Sequence, residues 1–255
     1  MIQPPLSHRH GIPFFHNKTE AEFTKDIYER YDEMVTRQTA LHLADELWNG
    51  YPMQPVMDFI TTHLQIPDQA NILELGCSVG RLIGTLAQNH PNSTCWGIDY
   101  SYQLLKRAHE FWRYEAVVNI DHSFRGMEPV IARGTFQKNL RFGLAKAEAL
   151  PFHDITQDII FSSFLLDRLQ NPIQGLKEMY RVLKSGGQMI LISPLNFNKA
   201  EHWKLLYPPA SIKKQLENIG FDIDVFDESL MVIEPMDIHG NVVLWKCLAV
   251  QCSKA

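Results

Sequence analysis

Apolar and polar residues alternate in two different rhythms along this chain. Five apolar runs of strand length follow one another through its middle, at residues 71–75, 95–99, 141–145, 157–163 and 188–193. Amphipathic segments with helical spacing separate most of these runs, and such alternation predicts parallel strands with helices on both faces of the sheet. Two further apolar runs, at 220–226 and 242–250, fit a closing antiparallel hairpin. The pattern therefore predicts an α/β fold with a seven-stranded, mostly parallel sheet.

The first 68 residues do not share this alternation. Residues 1–18 are rich in proline and predict an irregular lead-in. Thr19 and Glu22 form a capping box, and the apolar spacing after it predicts one helix from about Glu20 towards Trp48. Another helix is expected at 55–64. We expect residues 1–68 to form a helical cap over the carboxyl edge of the sheet, and residues 69–255 to form the main domain.

Residues 115–139 are surplus to a simple strand and helix repeat, and the sequence predicts an insertion there. The stretch is too short for a domain and too long for a plain connection. Its basic residues, among them Arg125 and Arg133, could meet an anionic group of a substrate. The alternative is a solvated flap.

Composition and charge limit the classes of protein to which this chain can belong. The chain has 255 residues, 45% hydrophobic and 21% charged, which suits one well-filled domain. Its net charge of −5 argues against a nucleic-acid surface. The sequence has no signal-peptide pattern and no run of eighteen apolar residues, so we expect a cytoplasmic protein without a membrane span. The four cysteines form no Cys-x-x-Cys pair, and we expect core residues rather than metal ligands.

A glycine-containing turn follows the first of the five central strands. Gly76 lets the backbone turn sharply, and Gly80 allows the next helix to pack closely on the strand. Asp99 ends the second strand, where its carboxylate can accept both hydroxyl hydrogens of a ribose. A dinucleotide fingerprint would need glycines in place of Ser78 and Arg81. The sequence therefore predicts a nucleoside site without a pyrophosphate-binding turn.

These motifs resemble those of a known family. The turn reads acidic-x-Gly-x-Ser-x-Gly over residues 74–80, and the second strand ends in Gly-Ile-Asp at 97–99. Residues 180–187 add Tyr-Arg-Val-Leu-Lys-Ser-Gly-Gly. Over roughly residues 70–195 the chain is similar to class I S-adenosylmethionine-dependent methyltransferases of the type 11 group, with Ser78 where the family usually has glycine. The resemblance implies a Rossmann-like fold, S-adenosylmethionine as cofactor and S-adenosylhomocysteine as product, with no metal.

The resemblance also implies a set of cofactor-binding residues. These are Glu74, Gly76, Cys77, Ser78, Gly80, Asp99, Tyr100, Ala147, Glu148 and Ser162. One position departs from the family pattern, because Lys146 stands where many members have an aspartate that accepts a hydrogen bond from the adenine amino group. Lysine can only donate. We therefore expect the adenine to use the backbone N–H of Ala147, together with Glu148.

Asp167 is the candidate catalytic residue. It follows the fourth central strand, in the crevice where a methyl acceptor would meet the sulfonium. Its carboxylate could orient a substrate N–H group or remove a proton from it. Alternatively, Asp167 pairs with Arg168 or Arg81 and only fastens the loop. The candidate substrate-binding residues are Tyr28, Tyr31, Asp167 and Asn196.

A narrower resemblance suggests a substrate class. Residues 76–81 and 166–172, with the insertion, look like the carboxy-terminal methyltransferase domain of ovothiol-forming sulfoxide synthases. That likeness implies transfer to an imidazole nitrogen of a thiolated, histidine-like metabolite. The functional prediction is methyl transfer to a small molecule. The alternatives are a protein or RNA methyltransferase and a cofactor-binding protein without activity. The sequence leaves the oligomeric state open.

Overall fold

A mostly parallel sheet forms the centre of the computed structural model, which describes residues 2–47 and 50–255. The strands are β1 (Ser7–Arg9), β2 (Ile12–Phe14), β3 (Asn71–Leu75), β4 (Thr94–Asp99), β5 (Val117–Ile120), β6 (Val130–Arg133), β7 (Leu140–Leu144), β8 (Gln157–Ser163), β9 (Leu183–Ser193), β10 (Phe221–Pro235) and β11 (Val242–Lys254). The sheet order is β1-β2-β7-β4-β3-β8-β9-β11-β10, parallel from β2 to β9 and antiparallel elsewhere. The predicted α/β, Rossmann-like architecture is confirmed.

Helices cover both faces of this sheet. They are α1 (Glu20–Lys25), α2 (Ile27–Arg30), α3 (Asp32–Leu43), α4 (Gln54–His63), α5 (Arg81–Asn89), α6 (Tyr102–Tyr114), α7 (Pro172–Val182), α8 (Ala200–Leu206) and α9 (Pro209–Ile219). Neighbouring strand residues point to opposite faces. Ile72 accordingly packs in the apolar layer that contains α4 to α6, whereas Leu73 packs in the layer that contains α7 to α9. The central strands are apolar on both faces because helices bury both.

The expected irregular lead-in at residues 1–18 is wrong, because this segment contains the hairpin of β1 and β2. His10 and Gly11 adopt positive φ angles of 49° and 76° and turn the chain between the strands. Ile12 is fully buried, and Phe15 N–H donates to the Leu144 carbonyl oxygen over 2.8 Å. The hairpin thereby extends the sheet to nine strands. Pro13 lies within β2, and proline disfavours the assignment of a strand, so residue propensities do not indicate β2.

The single helix expected from Glu20 towards Trp48 is also wrong, because the described residues form the separate helices α1, α2 and α3. Asp26 causes the first break. Its backbone is extended, and its carboxylate accepts the Tyr28 N–H over 2.9 Å, which caps α2. The helix α3 ends at Leu43, and Trp48 lies outside the described residues.

The helices α1 and α2 lie at the carboxyl edge of the sheet, as the sequence predicts. Glu29 accepts the backbone N–H of Tyr102 over 3.0 Å, just beyond the end of β4. The predicted helix at 55–64 is present as α4, but its expected place over that edge is wrong. It packs in a face layer, and Gln65 N–H reaches the Gln188 side chain near the amino end of the parallel part of β9. We refer to α1, α2 and the following α3, whose Arg37 pairs with Glu234 of β10, as the lid.

Two further segments extend over the carboxyl edge. The pairing of β11 with β9 stops at Leu248 and Ser193, whereas its pairing with β10 continues to Val242 and Pro235. We call the projecting residues 230–247 the hairpin arm. The arm lies against the insertion, where Ile238 N–H donates to the Arg125 carbonyl oxygen over 3.1 Å. The turn of the insertion is therefore packed, not a solvated flap.

Candidate functional site

The turn after β3 is built as the sequence predicts. Gly76 N–H and Cys77 N–H both donate to the Ile98 carbonyl oxygen, over 2.8 and 3.1 Å. Gly80 has a φ of 77°, and a Cβ atom there would lie 2.7 Å from the Phe142 ring. Glu74 is buried, and its carboxylate accepts the Ile83 N–H over 3.0 Å within α5. Burial raises the pKa of Glu74 well above its ordinary value.

Asp99 is the polar centre of this turn. Its two carboxylate oxygens accept the backbone N–H groups of Ser78 and Ser101, each over 2.8 Å. Burial raises the pKa of Asp99, and these two hydrogen bonds oppose the rise. Each carboxylate oxygen has a second lone pair, which leaves room for the two hydroxyl groups of a ribose. Ser78 Oγ is buried and lacks a hydrogen-bond partner among residues 2–47 and 50–255.

The segment that follows β7 is held by the lid. Lys146 forms an ion pair with Glu22 of α1, and this contact lowers the pKa of Glu22. Ala147 is buried, whereas Glu148 accepts the Gln170 N–H over 3.0 Å. Lysine at position 146 thus has a partner from the lid. The sequence did not identify Glu22 as the partner of Lys146. The one sequence feature that points to this role is the acidic side chain near the start of α1.

A second lid contact reinforces the first. Lys18 is largely buried and pairs with Asp26 at 2.6 Å and with Glu29 at 3.1 Å. Its ammonium also lies 4.5 Å from the centroid of the Tyr100 ring. Since Tyr100 directly follows Asp99, these charges fix the lid against the carboxyl end of β4.

Asp167 lies deep between the ends of β8 and β9. Its side chain has no exposed surface, and Oδ1 accepts the Ser193 hydroxyl over 3.0 Å. Oδ2 has no hydrogen-bond partner within the described chain, and Arg168 Nε stands 3.5 Å away. Arg81 pairs instead with Asp45 at 2.8 Å, so a pair between Asp167 and Arg81 is wrong. Burial raises the pKa of Asp167 above its ordinary value of 3.8.

The other predicted residues occupy different environments. Ser162 is buried, and its Oγ atom has no partner among the residues described. Tyr28 is partly buried, and burial together with the Asp99 charge raises its pKa to about 12. Tyr31 is 49% exposed and accepts from Arg30 over 3.1 Å. Asn196 is exposed.

Strained backbone marks three of the loops at this edge. Ser78 after β3, Phe164 after β8 and Leu195 after β9 have positive φ angles of 52°, 56° and 54°. Such angles are uncommon for residues other than glycine, asparagine and aspartate, and they concentrate at functional sites. The candidate site therefore spans the ends of β3, β4, β7, β8 and β9. No group of three or more potential metal ligands occurs in the described part of the chain.

The chain is similar in sequence to known methyltransferases. The sequence model of the family Methyltransf_11, described as a methyltransferase domain, matches residues 73–191. A ubiquinone/menaquinone biosynthesis C-methyltransferase, UbiE, of Geotalea daltonii is 24% identical over 65% of this chain and 62% of its own. The chain spans between 37% and 62% of the length of the first curated relatives it matches.

Two solved structures share the fold. One belongs to the complex between the Haloferax volcanii Trm112 methyltransferase activator and a methyltransferase, with a TM-score of 0.63, 13% identity, and coverage of 89% of this chain and 97% of that chain. The other is an S-adenosylmethionine-dependent methyltransferase of Aquifex aeolicus, with a TM-score of 0.52, 17% identity, and coverage of 89% and 100%. Residues 73–191 thus match a methyltransferase domain, and the chain has the fold of S-adenosylmethionine-dependent methyltransferases.

The residues at the edge fit S-adenosylmethionine as the cofactor. Gly76 leaves the turn without a Cβ atom, and an added one would meet the Leu165 side chain at 3.2 Å. The buried hydroxyl groups of Ser78 and Ser162 have no protein partner in the described ranges, and a polar ligand would supply one. The narrower likeness to ovothiol-forming synthases receives no support from these comparisons.

Breaking the ion pair between the lid and Lys146 should weaken cofactor binding modestly. Glu22→Gln keeps the shape of the side chain but removes its charge, so the lid should close less tightly over the nucleoside turn. Because the pair is partly exposed, we expect a two- to fivefold rise in the dissociation constant of S-adenosylhomocysteine, corresponding to about 0.4–1 kcal/mol. Glu20→Gln on the same helix is the control, since Glu20 is exposed. Equal affinities in calorimetry for Glu22→Gln and Glu20→Gln would contradict the role of this pair.

Proposed function

We propose that the protein transfers the methyl group of S-adenosylmethionine to a small-molecule acceptor. The observation that carries this proposal is the cover over the carboxyl edge, which consists of α1 to α3, the turn of the insertion and the hairpin arm. Such a cover suits a compact acceptor and excludes water from the reaction. The net charge of −5 also favours this choice over a nucleic-acid substrate.

Each residue of the site has its own role in this proposal. The bound cofactor supplies the activated methyl group and its leaving group, so the protein contributes alignment and, where required, proton removal. Asp99 holds the ribose, with Glu74, Gly76, Cys77, Ser78 and Gly80 shaping the turn. Tyr100, Ala147 and Glu148 border the adenine, and Ser162 borders the methionine end.

Asp167 acts on the acceptor side in this proposal. Its Oδ2 atom is the one that has no hydrogen-bond partner in the part of the chain described, so it is available to an N–H or O–H group of the acceptor. Tyr28 forms part of the wall, and Tyr31 and Asn196 remain predicted contacts. An imidazole nitrogen as the acceptor atom also remains a prediction.

A second candidate function is methylation of a protein or RNA. Its support is the apolar outer surface of the hairpin arm, where Ile233 and Leu244 pair side by side and are 52% and 58% exposed. An exposed apolar patch of this kind suits a protein partner. The Haloferax volcanii structure is a complex with an activator protein, and an activator is the partner that we assign to this second candidate.

The location of the protein is inferred separately. No helix in residues 2–47 or 50–255 has the length and apolar character needed to cross a membrane. We infer a cytoplasmic enzyme from the four free, buried cysteines, which suit a reducing compartment.

The proposed function is tested by methyl transfer from radiolabelled S-adenosylmethionine. The acceptors are a panel of small thiols, imidazoles, phenols and carboxylic acids, with total protein and total RNA as macromolecular acceptors. We expect product with a small acceptor and none with the macromolecules. Label in protein or RNA alone would favour the second candidate. Cofactor binding without any product in the presence of each acceptor would favour a binding protein without activity.

A further inference from the structure

Three basic side chains converge beneath the hairpin arm, and we call them the basic cluster: Arg37 of α3, and His122 and Arg125 of the insertion. Both arginines meet Met236 of the arm. Arg37 Nη2 lies 3.3 Å from the Met236 sulfur, and Arg125 Nη1 donates to the Met236 carbonyl oxygen over 2.9 Å. The cluster therefore joins three segments that are distant in sequence at the cover of the site.

The charges of the basic cluster are only partly balanced. Arg37 pairs with Glu234, whose side chain is 8% exposed. The carboxylate nearest to Arg125 belongs to Glu33, at 4.0 Å, but Glu33 is 62% exposed and contributes little. The side chains of Arg37 and Arg125 are 19% and 20% exposed. The two largely buried arginines thus share one buried carboxylate. The remaining positive charge is uncompensated, and burying such a charge raises the free energy of the folded protein.

The cluster also has unused hydrogen-bond donors. The Nε atoms of Arg37 and Arg125 have no partner among residues 2–47 and 50–255. His122 is 1% exposed, and neither of its ring nitrogens has a partner in the same ranges. Burial, with the positive charges of Arg125 and Arg37, lowers the pKa of His122. A neutral imidazole still donates from one nitrogen, so three buried donors are available.

The position of the cluster connects it to the acceptor side. The positive charge of Arg37 opposes the rise in the Tyr28 pKa that burial and the Asp99 charge cause. Glu234, the partner of Arg37, accepts from Trp245 Nε1 over 2.9 Å. The Trp245 ring then packs against Phe164, immediately after β8, with centroids 5.9 Å apart.

We infer that the basic cluster binds an oxyanion of the methyl acceptor, a carboxylate or a phosphate group. This inference rests on the proposed function, because it takes the small acceptor as its ligand. An oxyanion would supply the missing negative charge and accept from the free donors of Arg37, Arg125 and His122. The acceptor is then an acidic metabolite whose anionic group is held under the arm while its reacting atom faces Asp167.

Nuclear magnetic resonance of the arginine Nε–H groups tests this site directly. The probes are sodium acetate and inorganic phosphate, titrated separately at constant ionic strength into the protein loaded with S-adenosylhomocysteine. We expect saturable shifts of the Arg37 and Arg125 signals, assigned through Arg37→Lys and Arg125→Lys. The control is Arg133, an exposed arginine of the same insertion. The probe with the lower dissociation constant shows whether the site prefers a carboxylate or a phosphate group. Shifts that do not saturate, or that match those of Arg133, would overturn the inference.

Kinetics separate this inference from the proposed function. The acceptors are 4-hydroxybenzoate, indole-3-acetate and imidazole-4-acetate, each against its carboxamide. For any acid that is methylated, Arg125→Gln should reduce the preference for the acid in kcat/KM by at least about tenfold, as expected for a charge-assisted hydrogen bond, and Arg133→Gln should not. Equal preference in Arg125→Gln and Arg133→Gln would overturn the anion site but leave the methyltransferase intact. Saturable acetate or phosphate shifts without methyl transfer to any small acceptor would instead contradict the proposed function.

Discussion

Asp99→Ala should weaken S-adenosylmethionine binding by at least tenfold and up to several hundredfold. The variant removes the carboxylate expected to accept both ribose hydroxyls, and each charge-assisted hydrogen bond contributes about 1.5–3 kcal/mol. It also leaves the N–H groups of Ser78 and Ser101 without their acceptor, which loosens the turn. Calorimetry with S-adenosylmethionine, together with a melting curve of the free protein, measures both effects.

Asp158→Ala is a matched control for Asp99→Ala. Asp158 lies at the opposite edge of the sheet, where its carboxylate also accepts a backbone N–H, that of Asn71, over 2.8 Å. It pairs with Lys184 as well. We expect Asp158→Ala to lower the melting temperature without a change in cofactor affinity. A folded Asp99→Ala protein with unchanged affinity would refute the position of the ribose.

Asp167→Asn should reduce the turnover number by about 10²–10⁴ while cofactor affinity stays within about a factor of two, if Asp167 removes a proton from the acceptor. The amide keeps the shape of the side chain and one acceptor oxygen but cannot act as a base. Turnover should also fall as the pH is lowered, because a base must be deprotonated. The midpoint should lie above 3.8, the ordinary pKa of an aspartate carboxyl, since burial raises it. Single-turnover rates on saturated protein measure this step.

Ser193→Ala distinguishes a catalytic role of Asp167 from a role in fastening the loop. It removes the hydroxyl that donates to Asp167 Oδ1 but leaves the carboxylate in place. If Asp167 only fastens the loop, Ser193→Ala and Asp167→Asn should lower melting temperature, cofactor affinity and activity together. Normal turnover of Asp167→Asn at saturating acceptor would exclude the catalytic role.

The central sheet could be predicted from sequence because its signals are local. An apolar run such as β8 has strand length, is apolar on both faces and ends in polar residues, and the predicted bounds 157–163 match the structure. The turn around Gly80 was predictable for the same reason, since a glycine at the start of a helix that packs closely on a strand is a local requirement. Asp99 followed from its position at the end of the next strand.

The cover of the site could not be predicted, because its contacts join distant residues. Glu22 and Lys146 are 124 positions apart, and Arg37 and Glu234 are 197 apart. Charged residues of this kind are normally solvated, so neither pair has a local signature. The extent of the hairpin arm was missed too, because three polar residues, 227–229, follow Phe226 and interrupt the apolar pattern of β10 before the short apolar run at 230–233.

The attachment of the amino-terminal segment has a consequence for biosynthesis. Gln3 N–H donates to the Pro151 carbonyl oxygen, Phe15 N–H donates to that of Leu144, and Glu22 pairs with Lys146. All three partners lie within residues 144–151, so residues 3–22 cannot complete their docking until that later stretch has been synthesised. Domains otherwise tend to fold from the amino terminus during synthesis. In this protein residues 3–22 therefore dock only after the centre of the sheet has been synthesised, and they complete the fold late.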